Sequence, residues 1–272
     1  MPDTIQAAIL GVVQGATEFL PVSSSAHLIL ARAFFGFDGD KFGLAFDVAC
    51  HVGTLVAVLI YFRDEILRMI GALPHLFAPA ADEDARVIWL LVAGTVPAVI
   101  VGLLFKNQIE DHMRTPLVAA VALAIGGALF FVAERSGSNS RTDRSLTMGE
   151  AFLIGCAQAV ALIPGVSRSG ATITVALLLG LRRREAARFI FLLAIPAILG
   201  AAASEAPKLL KAGLGDTAPL FAIGIVTSAV IGYLAVKFFI QYLANHRLDA
   251  FAWYRIALAA ATVIWIYAVA TA

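Results

Sequence analysis

A polar stretch that could carry out nucleophilic or acid–base chemistry interrupts the first apolar run of the sequence. The stretch EFLPVSSSAHLIL begins at Glu18 and contains three consecutive serines followed by His27. His27 lies three residues after Ser24 and four after Ser23, so on a helix it can share a face with either serine. A serine beside an imidazole can act as an activated nucleophile, and a carboxylate can orient that base or hold a cation. Glu18, Ser24 and His27 are therefore candidate catalytic residues.

The same residues also have a structural interpretation. The serines from Ser23 to Ser25 can cap a helix, and His27 can be a hydrogen-bonded histidine of the core. An isolated serine–histidine pair would favour that interpretation. The neighbouring acid, the three hydroxyls and a complementary arginine segment further along the chain favour chemistry instead.

Two further pairs of polar residues at helical spacing lie close to this stretch. Gln14 precedes Glu18 by one turn and can hydrogen-bond a phosphate or a metal-bound water. Asp47 and His51 form another acid–imidazole pair four residues apart. That pair could belong to the site or could make a simple hydrogen bond at a helix end.

The second polar stretch, IPGVSRSGATIT, has the residue types of an anion site. Gly165 allows a tight turn, Ser167 and Ser169 can cap a helix, and Arg168 projects from its first turn. Free backbone N–H groups, the positive end of the helix dipole and a guanidinium together bind phosphate. Alternatively, Arg168 pairs with a buried carboxylate for structure alone. An arginine within a membrane segment is costly enough that we favour a functional role.

The composition places both stretches in a membrane protein. Of 272 residues, 60% are hydrophobic and 14% are charged, whereas a soluble domain carries roughly 25% charged residues. Long apolar runs without strand-like alternation predict an all-α polytopic membrane protein. A net charge of +1 indicates no nucleic-acid partner. Six segments are long enough to cross a bilayer, at about 42–62, 87–105, 116–133, 184–205, 218–238 and 253–271.

Two more apolar regions, about 4–37 and about 148–181, are broken by Pro21 and by Pro164-Gly165. Each half is too short for a comfortable span, which predicts two re-entrant helical hairpins. The alternative is a pair of tilted, kinked spans in each region.

The two broken regions also resemble each other. At a constant offset, Ser23 and Ser25 correspond to Ser167 and Ser169. The sequence therefore predicts two inverted-topology repeats, each with one hairpin and three spans, at 1–134 and 148–272, joined by a polar linker at 135–147. Such repeats place a polar site near the membrane midplane, where the N-termini of half-helices face an anion.

The distribution of Lys and Arg predicts the orientation of the chain in the membrane. Basic residues are concentrated in the linker and in the segment from Leu181 to Arg188, which places these on the cytoplasmic side. In this scheme Arg255, at the start of the last span, also belongs to the cytoplasmic set. Both termini then face the periplasm or the cell exterior.

The motifs together resemble those of a known family. QGATE fits a [Glu/Gln]-x-x-x-Glu motif and is followed by FLPVSSSAH, and PGVSRSGAT fits Pro-Gly-x-Ser-Arg-Ser-x-x-Thr. In this order and in an apolar chain of this length, they resemble the undecaprenyl-pyrophosphate phosphatase family, bacterial membrane enzymes associated with bacitracin resistance. The resemblance covers essentially the whole chain.

The resemblance implies hydrolysis of undecaprenyl pyrophosphate to the monophosphate, which recycles the lipid carrier of cell-wall synthesis. It further implies an inner-membrane location with an active site open to the periplasm, and a divalent cation that assists the reaction. Glu18 would either orient His27 or coordinate Mg²⁺ or Ca²⁺ through oxygen. Many members have a glutamate where this chain has Gln14, which weakens any two-carboxylate metal site. The implied catalytic residues are Glu18, Ser24, His27 and Arg168, with substrate contacts at Gln14, Ser23, Ser25, Ser167, Ser169 and Thr172.

Two mechanisms and one rival function follow from these residues. Either Ser24 attacks the terminal phosphorus with His27 as base, or His27 activates a water directly. Inverted repeats with broken helices are also a transporter architecture, so the rival is a polyprenyl-phosphate flippase, alone or in addition to the phosphatase. The partners we expect are the lipid pyrophosphate and membrane lipids. The sequence leaves the oligomeric state open, with a homodimer as one alternative.

Overall fold

The computed structural model of the chain is predominantly helical in the residues that it describes, which are 1–39, 41–78, 82–212 and 215–271. These residues contain no β-strand. The long helices are α1 (Asp3–Glu18), α2 (Ser24–Phe35), α3 (Leu44–Tyr61), α4 (Arg63–Gly71), α5 (Glu83–His112), α6 (Pro116–Ser136), α7 (Met148–Val160), α8 (Arg168–Leu178), α9 (Arg183–Ala212), α10 (Ala218–Tyr242) and α11 (Asp249–Ala270).

Six of these helices are long and apolar enough to cross a membrane, which confirms the predicted number of spans. They are Leu44–Tyr61, Glu83–Phe105, Pro116–Ser136, Arg183–Pro207, Ala218–Tyr242 and Asp249–Ala270. Each coincides with one of the segments predicted from hydropathy. The chain is therefore a multi-pass membrane protein built from α-helices.

The two broken regions each form a pair of short helices. α1 and α2 are separated by residues 19–23, which we call the first break, and α7 and α8 by residues 161–167, which we call the second break. Pro21 lies in the first break and Pro164-Gly165 in the second, as expected from residues that end or redirect a helix. The re-entrant course of these pairs and the inversion of the repeats stay predictions.

Helices from the first half of the chain pack mainly against helices from the second half. α1 of the first half lies against α10 of the second, and α7 of the second half lies against α5 of the first. In the same way, α3 contacts α10 while α5 contacts α9, and α6 packs on α11. Each half therefore depends on helices of the other half for its core, and the two breaks are brought together in the interior.

Close helix contacts at two glycines hold the first helix of each broken pair in place. A Cβ at Gly11 of α1 would lie 2.8 Å from the carbonyl oxygen of Gly224 on α10. A Cβ at Gly155 of α7 would lie 2.3 Å from the carbonyl oxygen of Gly94 on α5. Small residues at these positions let the helix backbones approach, which is the packing that lipid-embedded helices use.

Candidate active site

The second helix of each pair begins in the same unusual backbone conformation. Ser23 caps α2 at φ 74°, and Ser167 caps α8 at φ 72°. Positive φ is uncommon for a residue with a Cβ and is found where the surrounding structure imposes it, often at functional sites. The Ser23 hydroxyl accepts a hydrogen bond from the Ala26 N–H at 3.4 Å, and the Ser167 hydroxyl accepts one from Gly170 at 3.1 Å.

Direct hydrogen bonds join the two breaks. The N–H of Gly165 in the second break donates to the Ser25 hydroxyl at 3.4 Å. The Ser169 hydroxyl donates to the carbonyl oxygens of Glu18 and Leu20 at 3.3 and 3.1 Å. The N-terminal ends of α2 and α8 therefore meet at one place, and the residues predicted from the two stretches belong to one cluster.

The carboxylate of Glu18 is the centre of that cluster. Its side chain is only 3% exposed and is paired with Arg168 through Oε1. Its other oxygen, Oε2, accepts hydrogen bonds from the Ser24 hydroxyl at 2.5 Å and from the Gln14 amide at 2.9 Å. Nε2 of His51 lies 3.4 Å from the same oxygen. Predictions from both stretches therefore converge on this acid.

Arg168 contacts Glu18 as the structural alternative requires, yet it retains the capacity to bind an anion. A guanidinium carries five N–H donors, and among the described residues only Glu18 accepts from Arg168. The Arg168 side chain is 22% exposed, and it lies at the first residue of α8, where backbone N–H groups have no partner within the helix. The remaining donors can therefore bind phosphate oxygens.

His27 bonds away from Ser24 and Glu18, which corrects the expectation that it pairs with the serine. Its Nδ1 lies 2.7 Å from the carbonyl oxygen of Ser23, and its Nε2 lies 2.7 Å from the hydroxyl of Tyr254. Because a carbonyl oxygen only accepts, Nδ1 carries a proton and donates it to the Ser23 carbonyl, while Nε2 shares a hydrogen bond with the Tyr254 hydroxyl. The two rings are also stacked, with an interplanar angle of 3°. The acceptor of the Ser24 hydroxyl is Glu18 instead.

His51 bonds to the helix backbone through one ring nitrogen and faces the site through the other. The side-chain Nδ1 donates to the backbone carbonyl of Asp47, one helical turn earlier, at 2.7 Å, and Nε2 faces Glu18. The carboxylate of Asp47 does not orient this ring, since it forms ion pairs with Arg32 and Arg114, each at 2.7 Å. His51 therefore contacts the site through Glu18. Asp47, the acid that was predicted to pair with it, pairs with two arginines instead.

The remaining predicted substrate contacts are engaged within the protein. Thr172 is buried and donates to the carbonyl oxygen of Arg168 at 2.7 Å, which holds the start of α8. Ser167 and Ser169 are buried and lie 3.3 Å apart between hydroxyl oxygens, and Ser23 and Ser25 form the same pair at 3.2 Å. Their contact with a substrate stays a prediction.

Two residues of α11 contribute to the site although little in the sequence pointed to them. Tyr254 bonds to His27, and Arg255 is completely buried between the two breaks. The expectation that Arg255 belongs to the cytoplasmic set is therefore wrong, because its guanidinium lies in the protein interior and not at the membrane surface. The only available signal was a charged residue within the last apolar run.

The residues around Glu18 fit a cation that is shared with a phosphate. In the part of the chain that the structure describes, no three His, Cys, Asp or Glu side chains form a metal-binding group. However, Oε1 of Gln14 is buried without a hydrogen-bond partner beside Glu18. One carboxylate and an amide oxygen, with the remaining ligands from substrate phosphate and water, match the way in which Mg²⁺ is usually bound.

The fold and the site define a class: a multi-pass helical membrane protein in which two broken helical regions assemble one largely buried site with a carboxylate, a hydroxyl and a guanidinium. Comparison with known proteins makes this class specific. The family described as bacitracin resistance protein BacA matches residues 7–261. The chain belongs to this family.

Individual relatives extend over almost the whole chain. A protein of Rubrobacter xylanophilus is 52% identical over 264 residues, covering 96% of this chain and 97% of its own length. Proteins of Geotalea daltonii and Trichlorobacter lovleyi are 45% and 43% identical, each covering at least 94% of both chains. All three relatives are named undecaprenyl-diphosphatase. The family resemblance read from the two motifs is thereby confirmed.

Proposed function

We infer that this chain hydrolyses undecaprenyl pyrophosphate to undecaprenyl phosphate and inorganic phosphate. The observation that carries this function is the near-full-length similarity to relatives named undecaprenyl-diphosphatase. The site has the chemistry that the reaction needs, since Ser24 and Arg168 each make a hydrogen bond to the carboxylate of Glu18. The activity fits the recycling of a cell-wall lipid carrier and the antibiotic resistance for which the family is named.

The geometry favours Ser24 as the nucleophile and Glu18 as its base. The Ser24 hydroxyl already donates to Oε2 of Glu18 at 2.5 Å, which is within the reach that proton transfer requires. The Ser24 oxygen forms a bond to the terminal phosphorus as its proton moves to Glu18. The bond from that phosphorus to the bridging oxygen breaks, and undecaprenyl phosphate leaves. Water then hydrolyses the phosphoserine and releases inorganic phosphate.

Arg168 would bind the transferred phosphoryl group during both steps. Phosphoryl transfer passes through a loose transition state with charge on the equatorial oxygens, so positioning and electrostatic stabilisation provide most of the catalysis. The guanidinium stands at the start of α8, where the helix dipole adds to its positive charge. A single interaction with Glu18 thus places the anion-binding group beside the attacking hydroxyl.

A divalent cation at this site would be held by Glu18 and the amide oxygen of Gln14. When bound, it would neutralise negative charge on the phosphate oxygens. The neutral Gln14 supplies no charge, so the cation would be held mainly by Glu18 and by the substrate.

We further propose that the protein lies in the bacterial inner membrane with its site open to the periplasm. The concentration of basic residues in the linker and in the segment from Leu181 to Arg188 supports this orientation. The lipid tail can then remain in the bilayer between helices while the pyrophosphate reaches the two breaks.

Phosphate release by purified protein tests the function. Wild-type protein in detergent is incubated with a polyprenyl pyrophosphate, and inorganic phosphate and the monophosphate product are measured. We expect equal amounts of both products, with Ser24→Ala as the inactive control of the same fold. Binding of polyprenyl phosphate without any phosphate release would favour the flippase alternative. None of the described contacts of the site favours that alternative over hydrolysis.

A further inference from the structure

We propose that Arg255 is a positioning residue that fixes the two breaks against each other and makes the site electropositive. The inference rests on the proposed phosphatase function and concerns a residue outside both motifs. Arg255 lies on α11, is 0% exposed, and is among the largest fully buried residues in the part of the chain that the structure describes. A fully buried guanidinium is costly, so its partners need an explanation.

All the hydrogen-bond partners of Arg255 in the described chain are backbone carbonyls. Nη1 donates to Pro21 of the first break at 3.2 Å, and Nη2 donates to Gly165 and Val166 of the second break at 3.1 and 3.0 Å. Nε and Nη2 also donate to Leu123 and Ala122 of α6 at 3.2 and 3.1 Å. One side chain therefore bonds to both breaks and to the helix beside them.

These contacts satisfy carbonyl groups that the breaks leave outside helical hydrogen bonding. Non-helical backbone at membrane depth is tolerated only where protein or water supplies partners. The guanidinium supplies them for Pro21, Gly165 and Val166 at once. Without the guanidinium, each unpaired carbonyl would lower the stability of the folded protein. The two breaks would also lose a side chain that bonds to both of them.

The chain is built to hold the guanidinium at this position. A Cβ at Gly126 on α6 would lie 2.0 Å from Nη2 of Arg255, and a Cβ at Gly170 on α8 would lie 2.7 Å from Nη1. Only glycine leaves room for the group at both places. The ring of Phe130 covers it, with Cζ of Arg255 5.2 Å from the ring centroid, a distance at which cations and aromatic faces attract.

The charge of Arg255 has no carboxylate partner among the described residues. Helices α1 and α7 end at the breaks, and the C-terminal end of a helix carries roughly half a negative charge. An anionic substrate would be repelled by those carbonyl ends. Arg255 offsets this repulsion, so the N–H ends of α2 and α8 and the guanidinium of Arg168 determine the potential that the pyrophosphate meets.

The test separates this role from structural support alone. We expect Arg255→Gln to lower kcat/KM for a polyprenyl pyrophosphate by about tenfold or more and to weaken inhibition by inorganic pyrophosphate to a similar degree. Arg255→Lys keeps the charge but loses the planar fork, so it should retain tighter inhibition by pyrophosphate than Arg255→Gln. Thermal unfolding of each variant in detergent measures stability separately. If folded Arg255→Gln kept both constants within about twofold of wild type, the inference would be wrong.

A second pair of variants retains the arginine at position 255 and tests the same claim should Arg255→Gln fail to fold. Gly126→Ala forces the guanidinium out of its position. Gly127→Ala on the same helix would meet the Ala252 carbonyl at 2.9 Å and would reach Arg255 only at its Cβ, at 3.4 Å, which is an ordinary van der Waals distance. Both should lower stability, and Gly126→Ala should lower kcat/KM much further than Gly127→Ala. Equal kcat/KM in the two variants would contradict the role of Arg255. Absence of phosphate release by wild-type protein would instead contradict the proposed function.

Discussion

Glu18 connects more of the candidate site than any other residue that we describe. One of its oxygens pairs with Arg168 from the second break, and the other accepts hydrogen bonds from Ser24 and Gln14. A buried carboxylate with these partners can accept a proton from the serine while remaining oriented by the arginine. This arrangement gives Ser24 a base without His27.

The identity of the nucleophile is testable by trapping. Rapid quenching of the reaction should yield phosphate covalently bound at Ser24, detected by mass spectrometry of the wild-type protein. Ser24→Ala should lose turnover because the attacking oxygen is removed, whereas His27→Ala should lose less activity because its ring bonds to Tyr254 and to the Ser23 carbonyl. Phosphohistidine at position 27, or full turnover by Ser24→Ala, would contradict this mechanism.

The neutral side chain at position 14 leads to a prediction about cation dependence. Gln14→Glu should lower the Mg²⁺ or Ca²⁺ concentration needed for half-maximal phosphate release, because a second carboxylate adds attraction in a poorly screened site. Glu18→Gln should nearly abolish cation-dependent release. Titration of each cation against both variants and wild type is the measurement. If Gln14→Glu left the cation concentration for half-maximal release unchanged and Glu18→Gln only slowed turnover, the assignment of the cation to these two residues would be wrong.

At the scale of helices, the starts of α2 and α8 carry strain that glycine would relieve. Ser167 caps α8 at positive φ, and its hydroxyl accepts from Gly170. Ser167→Ala loses the cap and keeps the strained conformation, whereas Ser167→Gly loses the cap but adopts positive φ freely. We expect Ser167→Gly to be more stable than Ser167→Ala by about 1 kcal/mol.

The same comparison at the equivalent position controls for local effects. Ser23 caps α2 at nearly the same φ, so Ser23→Gly should be more stable than Ser23→Ala by a similar margin. Thermal unfolding in detergent measures both pairs. Alanine variants as stable as the glycine variants would show that the serines are not strained.

Sequence patterns were sufficient for the elements but not for all contacts between them. Hydropathy predicted the six spans, and the prolines predicted both breaks, because these depend on local properties of the chain. Chemical complementarity predicted that the two stretches act together and offered an unnamed buried carboxylate as one partner for Arg168, but it did not identify Glu18 as that carboxylate. The Tyr254–His27 contact and the burial of Arg255 depend on how α11 packs against both breaks, and an apolar run does not specify that packing.

At the scale of the whole molecule, the positive-inside bias predicts which loops face the cytoplasm. In a protein with Cys50→Ala and Cys156→Ala, a membrane-impermeant maleimide should label Gly39→Cys in intact spheroplasts. Ser140→Cys in the linker should be labelled only after permeabilisation. Both positions are exposed in the structure, so access across the membrane decides the result. The reverse pattern would invert the proposed orientation.

We propose that the two breaks, one from each half of the chain, form a single catalytic site. The decisive experiment is a double-mutant cycle on phosphate release, with Glu18→Gln, Arg168→Lys and the double variant all verified as folded. Lysine keeps the charge of Arg168 but not its fork, so each single variant should lose most activity. Because the two residues act as a unit, we predict that the double variant loses little more than either single one. Fully additive losses in log kcat/KM would contradict a shared site.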